Sequence, residues 1–271
     1  MNNYNLVGDI AGQFLTLKAL LAKMPQDAEL ISLGDPNDRG PRTKELIEFL
    51  MTTGKTINSN HAHLMVEAWE QSAMPGAMFR YYEKGIWFQN GAIQTLTSYD
   101  KDWPNKINFQ TYQDMYDLVV RYDEDKLHTI IPREHIQFLK NCPMYIETDG
   151  FIMTHAPIHE KLTLEQACNL GSGFADVMDY NSDKSLLWNR YVGNKPNPHL
   201  NGKVNIFGHN SSDNVKVYTS SFTNGIKLTP DAFKNFDMSQ VYAICLDTSS
   251  VRVLTGLHLP SMTLYQQEYI D

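Results

Sequence analysis

The chain has 271 residues, 42% of them hydrophobic and 20% charged, with a formal net charge of −8 at pH 7. This composition excludes a disordered chain, which could not bury enough apolar surface to offset its ordering entropy. It also excludes a membrane partner held by a spanning segment of ~18–20 apolar residues, and a general nucleic-acid binder, whose affinity rests on Lys and Arg against phosphates. Cys142, Cys168 and Cys245 are scattered and form no CxxC pair, so neither a disulfide framework nor a thiolate zinc site is expected. No basic segment followed by an apolar run opens the chain, so no signal peptide is expected and the reading is a reduced, cytoplasmic protein.

In chain order, Tyr4 to Val7 reads as a strand ending at Gly8-Asp9, followed by Phe14, Leu15, Leu17, Leu20 and Leu21 at helical spacing. The pattern repeats: Leu30 to Leu33 runs into Gly34-Asp35, and Pro41 marks the start of a helix carrying Leu46, Ile47, Phe49 and Leu50. A third run, Lys55 to Asn58, ends at Ser59-Asn60-His61. Three strand-then-helix units in succession predict an α/β sheet, in which ligands bind just past the carboxyl ends of the strands. Residues 66–140 read as helical and aromatic, an insertion or lid within one domain spanning 1–271. Beyond it, strands are predicted at Tyr145 to Thr154, Val204 to Phe207, Val215 to Thr219, Val241 to Leu246 and Val251 to Leu257.

Residues able to bind metal close five of these runs: Asp9, Asp35 with Asp38, Asn60 with His61, His155, and His209. One Gly-Asp alone is usually a turn, and one His alone is usually structural or solvated, as is expected of His128, His135, His199 and His258. Five strand ends in succession are not explained by turn chemistry. A set of Asp, Asn and His without thiolate suits Mn²⁺, Fe or Zn²⁺ better than Ca²⁺.

Gly34-Asp35-Pro36-Asn37-Asp38-Arg39-Gly40 resembles the GDxxDRG signature of the calcineurin-like metallophosphoesterases, in their phosphoprotein phosphatase branch. Gly8-Asp9-Ile10-Ala11-Gly12, Ser59-Asn60-His61-Ala62, Thr154-His155-Ala156-Pro157 and Gly208-His209-Asn210 follow the family's other blocks in order. The stretches from Trp87 to Gly91, Thr95 to Tyr99, Leu187 to Arg190 and Leu254 to Leu257 also look like bacterial and phage members, so the resemblance covers nearly the whole chain. It is similar in equal measure to phage-type protein phosphatases and to symmetrical diadenosine tetraphosphatases. The resemblance implies a sandwich of two β-sheets flanked by helices, with a helical insertion. It implies two divalent metal ions, manganese first and iron, zinc or nickel as alternatives. Asp35 would bridge them, Asp9 would hold the first, and Asn60, His155 and His209 would complete the second. Two such cations activate a shared water and neutralise phosphate oxygens. His61 would be the general acid, Asp38 its orienting carboxylate, and Arg39, Asn60 and Arg190 the phosphate grip.

Two blocks depart from the family. Ala62 and Ser59 replace a Glu and a Gly, and Ala11 stands where the family has a His ligand of the first metal. A methyl group cannot coordinate, so the first position is expected to be weak. Three readings of Ala11 stay open: a His→Ala change made to trap substrate, a natural enzyme with one tight and one substrate-recruited metal, and a phosphate-binding module without turnover. The expected partner is a phosphorylated protein or a nucleotide, met in the cytoplasm (the host's, for a phage-encoded chain). Phosphomonoester hydrolysis, plausibly of phosphoserine or phosphothreonine, is the leading function, and cleavage of a dinucleoside polyphosphate is the alternative. For the latter, Trp69, Phe79, Tyr81, Tyr82, Trp87 and Phe88 could stack a base, with Arg80 and Lys84 near further phosphates, although their spacing suits core packing better.

Overall fold

Two mixed β-sheets flanked by helices form the computed structural model, which describes residues 3–71, 86–101, 125–170 and 184–271. The first sheet has the order β11-β10-β1-β2-β3, from Thr263–Glu268, Val253–Leu259, Tyr4–Val7, Glu29–Ser32 and Lys55–Thr56. The second has the order β4-β5-β6-β9-β7-β8, from Tyr145–Glu147, Phe151–Thr154, Val204–Phe207, Val241–Cys245, Val215–Thr219 and Phe222–Leu228.

In the first sheet β1, β2 and β3 run parallel, and in the second β5, β6 and β9 do. The short apolar runs of β1, β2, β5, β6 and β9 are buried on both faces, as parallel strands require, whereas β3 at the sheet edge exposes Lys55. Leu6, Ile31 and Leu257 of one sheet meet Met153, Ile206 and Ile244 of the other in a shared core. The alternate residues Val7, Leu30 and Leu254 pack under helices α1 (Phe14–Leu21) and α2 (Thr43–Thr52). Helix α3 (Asn60–Gln71) starts on the third unit's site residues and shares a core with α4 (Ala92–Tyr99) and α5 (Arg133–Lys140). The helical section is thus packed on α2 and α3 wherever it is described. No described helix is long and apolar enough to cross a membrane.

Several sequence expectations need adjustment. The Tyr145–Thr154 run is a hairpin, β4 and β5, broken between Glu147 and Phe151. The Lys55 run pairs only through Lys55–Thr56, and the last predicted strand starts at Val253 because Val251 is exposed in a turn. Trp87 and Phe88 are buried in the helical core, so neither offers a face to a nucleobase. Trp69 packs there too and donates to the Ile131 carbonyl. Phe79, Arg80, Tyr81, Tyr82 and Lys84 lie outside the described residues. His135 and His258 are held by Tyr99, Asn3 and Ser261, as expected of structural histidines.

Candidate metal centre

Six loops leave the carboxyl ends of parallel strands at one edge of the sandwich, three from each sheet. Glycine permits their approach. A Cβ on Gly8 would stand 2.7 Å from the Leu246 carbonyl oxygen, beyond β9, and a Cβ on Gly208 would collide with the Asp9 carboxylate. The backbone also turns sharply: Ala11, Asp35, Asp38, Arg39 and His209 all have positive φ, between 47° and 70°. Non-glycine residues there cost roughly 1 kcal/mol or more each and persist only where the surroundings enforce them.

These turns bring together the residues singled out from the sequence. Asp9, Asp35 and His155 place donor atoms within 4.8 Å of one another, all buried. Both Asp9 oxygens accept from the His209 backbone N–H, at 3.1 and 3.0 Å. The imidazoles of His155 and His209 lie 5.0 Å apart between centroids. Ser59, the replacement for a family glycine, accepts from the Asp35 N–H through its hydroxyl at 2.8 Å.

The donor set fits a divalent cation. His155 Nδ1 meets the Leu33 carbonyl oxygen at 3.0 Å and its Nε2 meets Asn60 Oδ1 at 2.7 Å. Both oxygens are acceptors, and a neutral imidazole has one N–H to share between them, leaving one ring nitrogen with a free lone pair. His209 Nε2 is buried with no hydrogen-bond partner among the described residues. Burial pushes both imidazoles below their usual pKa, His209 to about 2 with the charges of His155 and Arg190 adding to it. They are neutral ligands in waiting. Burial alone would raise the Asp35 carboxyl, but His61, His155 and Arg39 outweigh it and hold Asp35 below the ordinary carboxylate range. Asp9 goes the other way: burial, then the charges of Asp247 and Asp35, raise it well above that range.

Beside this set lies His61. Its Nδ1 is 2.6 Å from Asp38 Oδ2 and its Nε2 is 3.8 Å from Asp35 Oδ2. Burial pulls the imidazole pKa down, but Asp35 and the Asp38 hydrogen bond more than reverse this, so His61 is raised. Asp38 is fully buried. Its Oδ1 accepts from Trp87 Nε1 at 3.0 Å and from the Thr95 hydroxyl at 2.7 Å, and that hydroxyl in turn accepts from the Asp38 N–H. Arg39 and Arg190 are exposed at the rim; Arg39 Nη2 touches His61 Nε2 at 3.0 Å and Arg190 Nη1 donates to the His209 carbonyl at 3.2 Å.

Sequence reasoning missed Asp247, which is 5% exposed and follows β9. Burial raises it to about 6, and the nearby Asp35 charge contributes. The signal was there, an acid just past a strand-like run, but no motif framed it. Trp87 and Thr95 were read as marks of resemblance, and their bonds to Asp38 were not foreseen.

No protein-family model matches the sequence, and no curated protein matches it. Solved structures do. A candidate diadenosine tetraphosphatase aligns with 100% of this chain and 95% of its own at TM-score 0.53 and 13% identity. A metallophosphoesterase from Sphaerobacter thermophilus gives 0.52 and 11%, covering 100% of this chain and 89% of its own. A cold-active protein-tyrosine phosphatase from a psychrophilic Shewanella species gives 0.54 and 16%, covering 99% and 81%. The chain therefore has the calcineurin-like metallophosphoesterase fold.

Proposed function

We propose that this chain is a metal-dependent phosphohydrolase acting on phosphomonoesters, with phosphoserine or phosphothreonine in proteins as the substrate class. The observation that supports it most is the burial of Asp9, Asp35 and His155 with donor atoms within 4.8 Å of one another, beside a His209 Nε2 that has no hydrogen-bond partner among the described residues. In this reading Asp9, Asp35, Asn60, His155 and His209 would hold two divalent ions, manganese first, with Asp35 shared between them. When bound, the ions supply a water of lowered pKa and neutralise phosphate oxygens.

The chain's own residues do the rest. Arg39 and Arg190 take the phosphate oxygens in charge-assisted bonds. When Arg39 turns to phosphate it leaves His61 Nε2, which then holds a proton for the leaving oxygen while Asp38 fixes Nδ1. Asp38 acts through His61 and is a positioning residue. The reaction occurs in the cytoplasm, within one domain spanning 1–271.

A second reading, hydrolysis of a dinucleoside polyphosphate, has one structural support. A cavity of about 320 Å³ opens beside Arg190, lined among others by Tyr191, Asn210, Lys216 and Tyr218. It offers a cation and aromatic rings to a nucleotide leaving group. A turnover panel with Mn²⁺ decides, using p-nitrophenyl phosphate, phosphopeptides and dinucleoside polyphosphates on the chain and its Ala11→His variant. Expected are hydrolysis of phosphopeptides and a large gain in turnover for Ala11→His. No turnover by either form sinks the enzyme reading, and preference for dinucleoside polyphosphates selects the second.

A further inference from the structure

Arg190 is exposed, and a long exposed side chain loses rotamer freedom when it grips a ligand. The loss is smaller where the backbone beneath it is already fixed, which is the general gain from preorganisation. The residue that fixes it here is Asn189, which is buried. Its Oδ1 accepts from the Tyr191 N–H at 3.0 Å, closing an Asx turn with Arg190 at the apex. Its Nδ2 donates to the Tyr191 carbonyl at 2.9 Å and to the Pro157 carbonyl at 2.8 Å. One side chain thus holds both backbone groups of the residue after Arg190 and ties the turn to the loop that carries His155.

Further bonds complete the bracket. The Ala156 N–H donates to the Leu186 carbonyl at 2.9 Å, so the stretch leading into the turn is docked on the same loop. On the other side, Asn210 Nδ2 donates to the Arg190 carbonyl at 3.0 Å, and Arg190 Nη1 donates to the His209 carbonyl at 3.2 Å. Arg190 is therefore suspended between the loops of His155 and His209. Its bond to His209 uses one N–H of the guanidinium and leaves the rest of the fork for phosphate. The bracket needs a primary amide at position 189. An Asp there would keep the acceptor but set a buried carboxylate against two carbonyl oxygens, and a Leu would satisfy none of the three partners.

We infer that Asn189 is a positioning residue for phosphate binding, which aims Arg190 at the centre through the turn it closes. The inference rests on the phosphohydrolase reading, in which Arg190 grips the phosphate, and adds to it the residue that presets the grip. Asn189 touches no substrate and acts through Arg190 alone. Its contribution to phosphate affinity should therefore vanish when the guanidinium is gone, whereas a merely structural contribution would persist.

The test is a double-mutant cycle read by calorimetric titration of inorganic phosphate into the Mn²⁺-loaded chain, which needs no turnover. Arg190→Ala should weaken phosphate by about 10–100-fold, as loss of charge-assisted bonds does. Asn189→Ala should weaken it by about 10-fold while Mn²⁺ affinity is unchanged, which also reports that the variant is folded. Asn189→Ala in the Arg190→Ala background should cost nothing further. Asn189→Ser keeps a hydroxyl acceptor for the Tyr191 N–H and should fall between the two; it carries the cycle if Asn189→Ala does not fold. Equal losses from Asn189→Ala with and without Arg190, or a parallel loss of Mn²⁺, would make Asn189 a scaffold residue and overturn the inference. Full phosphate affinity in Arg190→Ala overturns it too, and in each of these cases the phosphohydrolase reading stands on the turnover panel. If the unaltered chain binds neither Mn²⁺ nor phosphate, both fall together.

Discussion

His61 shows how one residue's neighbours set its chemistry. Asp38 holds one face of the ring at 2.6 Å and Arg39 the other at 3.0 Å. A bond from Arg39 to Nε2 requires a bare nitrogen, whereas an acid requires a protonated one, so in the proposed mechanism phosphate would have to draw Arg39 off before His61 acted as the acid. The raised pKa fixes the sign of the pH dependence: the protonated ring persists above 6.5, and turnover falls as pH rises through the raised value. Asp38→Asn removes one cause of the raising, so that fall should move to lower pH in a kcat–pH profile taken with an alkyl phosphate. His61→Asn should lower alkyl phosphate turnover by about 10²–10⁴-fold, and that of p-nitrophenyl phosphate by less, with metal content unchanged. An equal loss for both leaving groups would remove the acid role. Asp38 and His61 were legible because a motif frames them. Trp87 was not, since helical spacing cannot tell an aromatic that stacks on a ligand from one whose indole N–H bonds a buried carboxylate 49 residues away.

At the scale of elements, the parallel strands and the residues that end them could be read from the chain, because a short apolar run stopping at an acid or His is a local signal. The strands β8 and β11 could not. Phe222–Leu228 and Thr263–Glu268 are sheet-edge strands, half exposed and largely polar, and they form only because β7 and β10 are there to pair with. Helix α1 shows the same limit. Its N-cap, Gln13, makes no side-chain cap bond. The Asp271 carboxylate does that work from 255 and 256 residues away, accepting from the N–H groups of Leu15 and Thr16 at 2.9 and 2.8 Å and from the Thr16 hydroxyl. Asp271→Ala should therefore cost about 1–2 kcal/mol of stability, read as a lower Tm together with faster amide exchange at Leu15 and Thr16. An unchanged Tm would show that water caps the helix equally well.

Over the whole molecule, the candidate ligands are divided between the two sheets: Asp9, Asp35 and Asn60 follow β1, β2 and β3, and His155 and His209 follow β5 and β6. Each half comes from a separate stretch of chain, and the bond joining Asp9 to His209 spans 200 residues. Contacts that distant close late in folding, because loop-closure entropy must be met before they form. Ions seated there would be rivets between two plates, absent from the transition state and present only in the finished structure. Their effect should then be kinetic and one-sided. At a free concentration 100 times its Kd, a bound ion adds about 2.7 kcal/mol, and all of it should appear as unfolding slowed ~100-fold, with the refolding rate unmoved. Stopped-flow denaturant jumps with and without Mn²⁺ measure this directly, and an equal acceleration of refolding would mean that the rivets are set early. The seam that makes the site chemically useful would then also act as the latch that decides how long the folded molecule lasts.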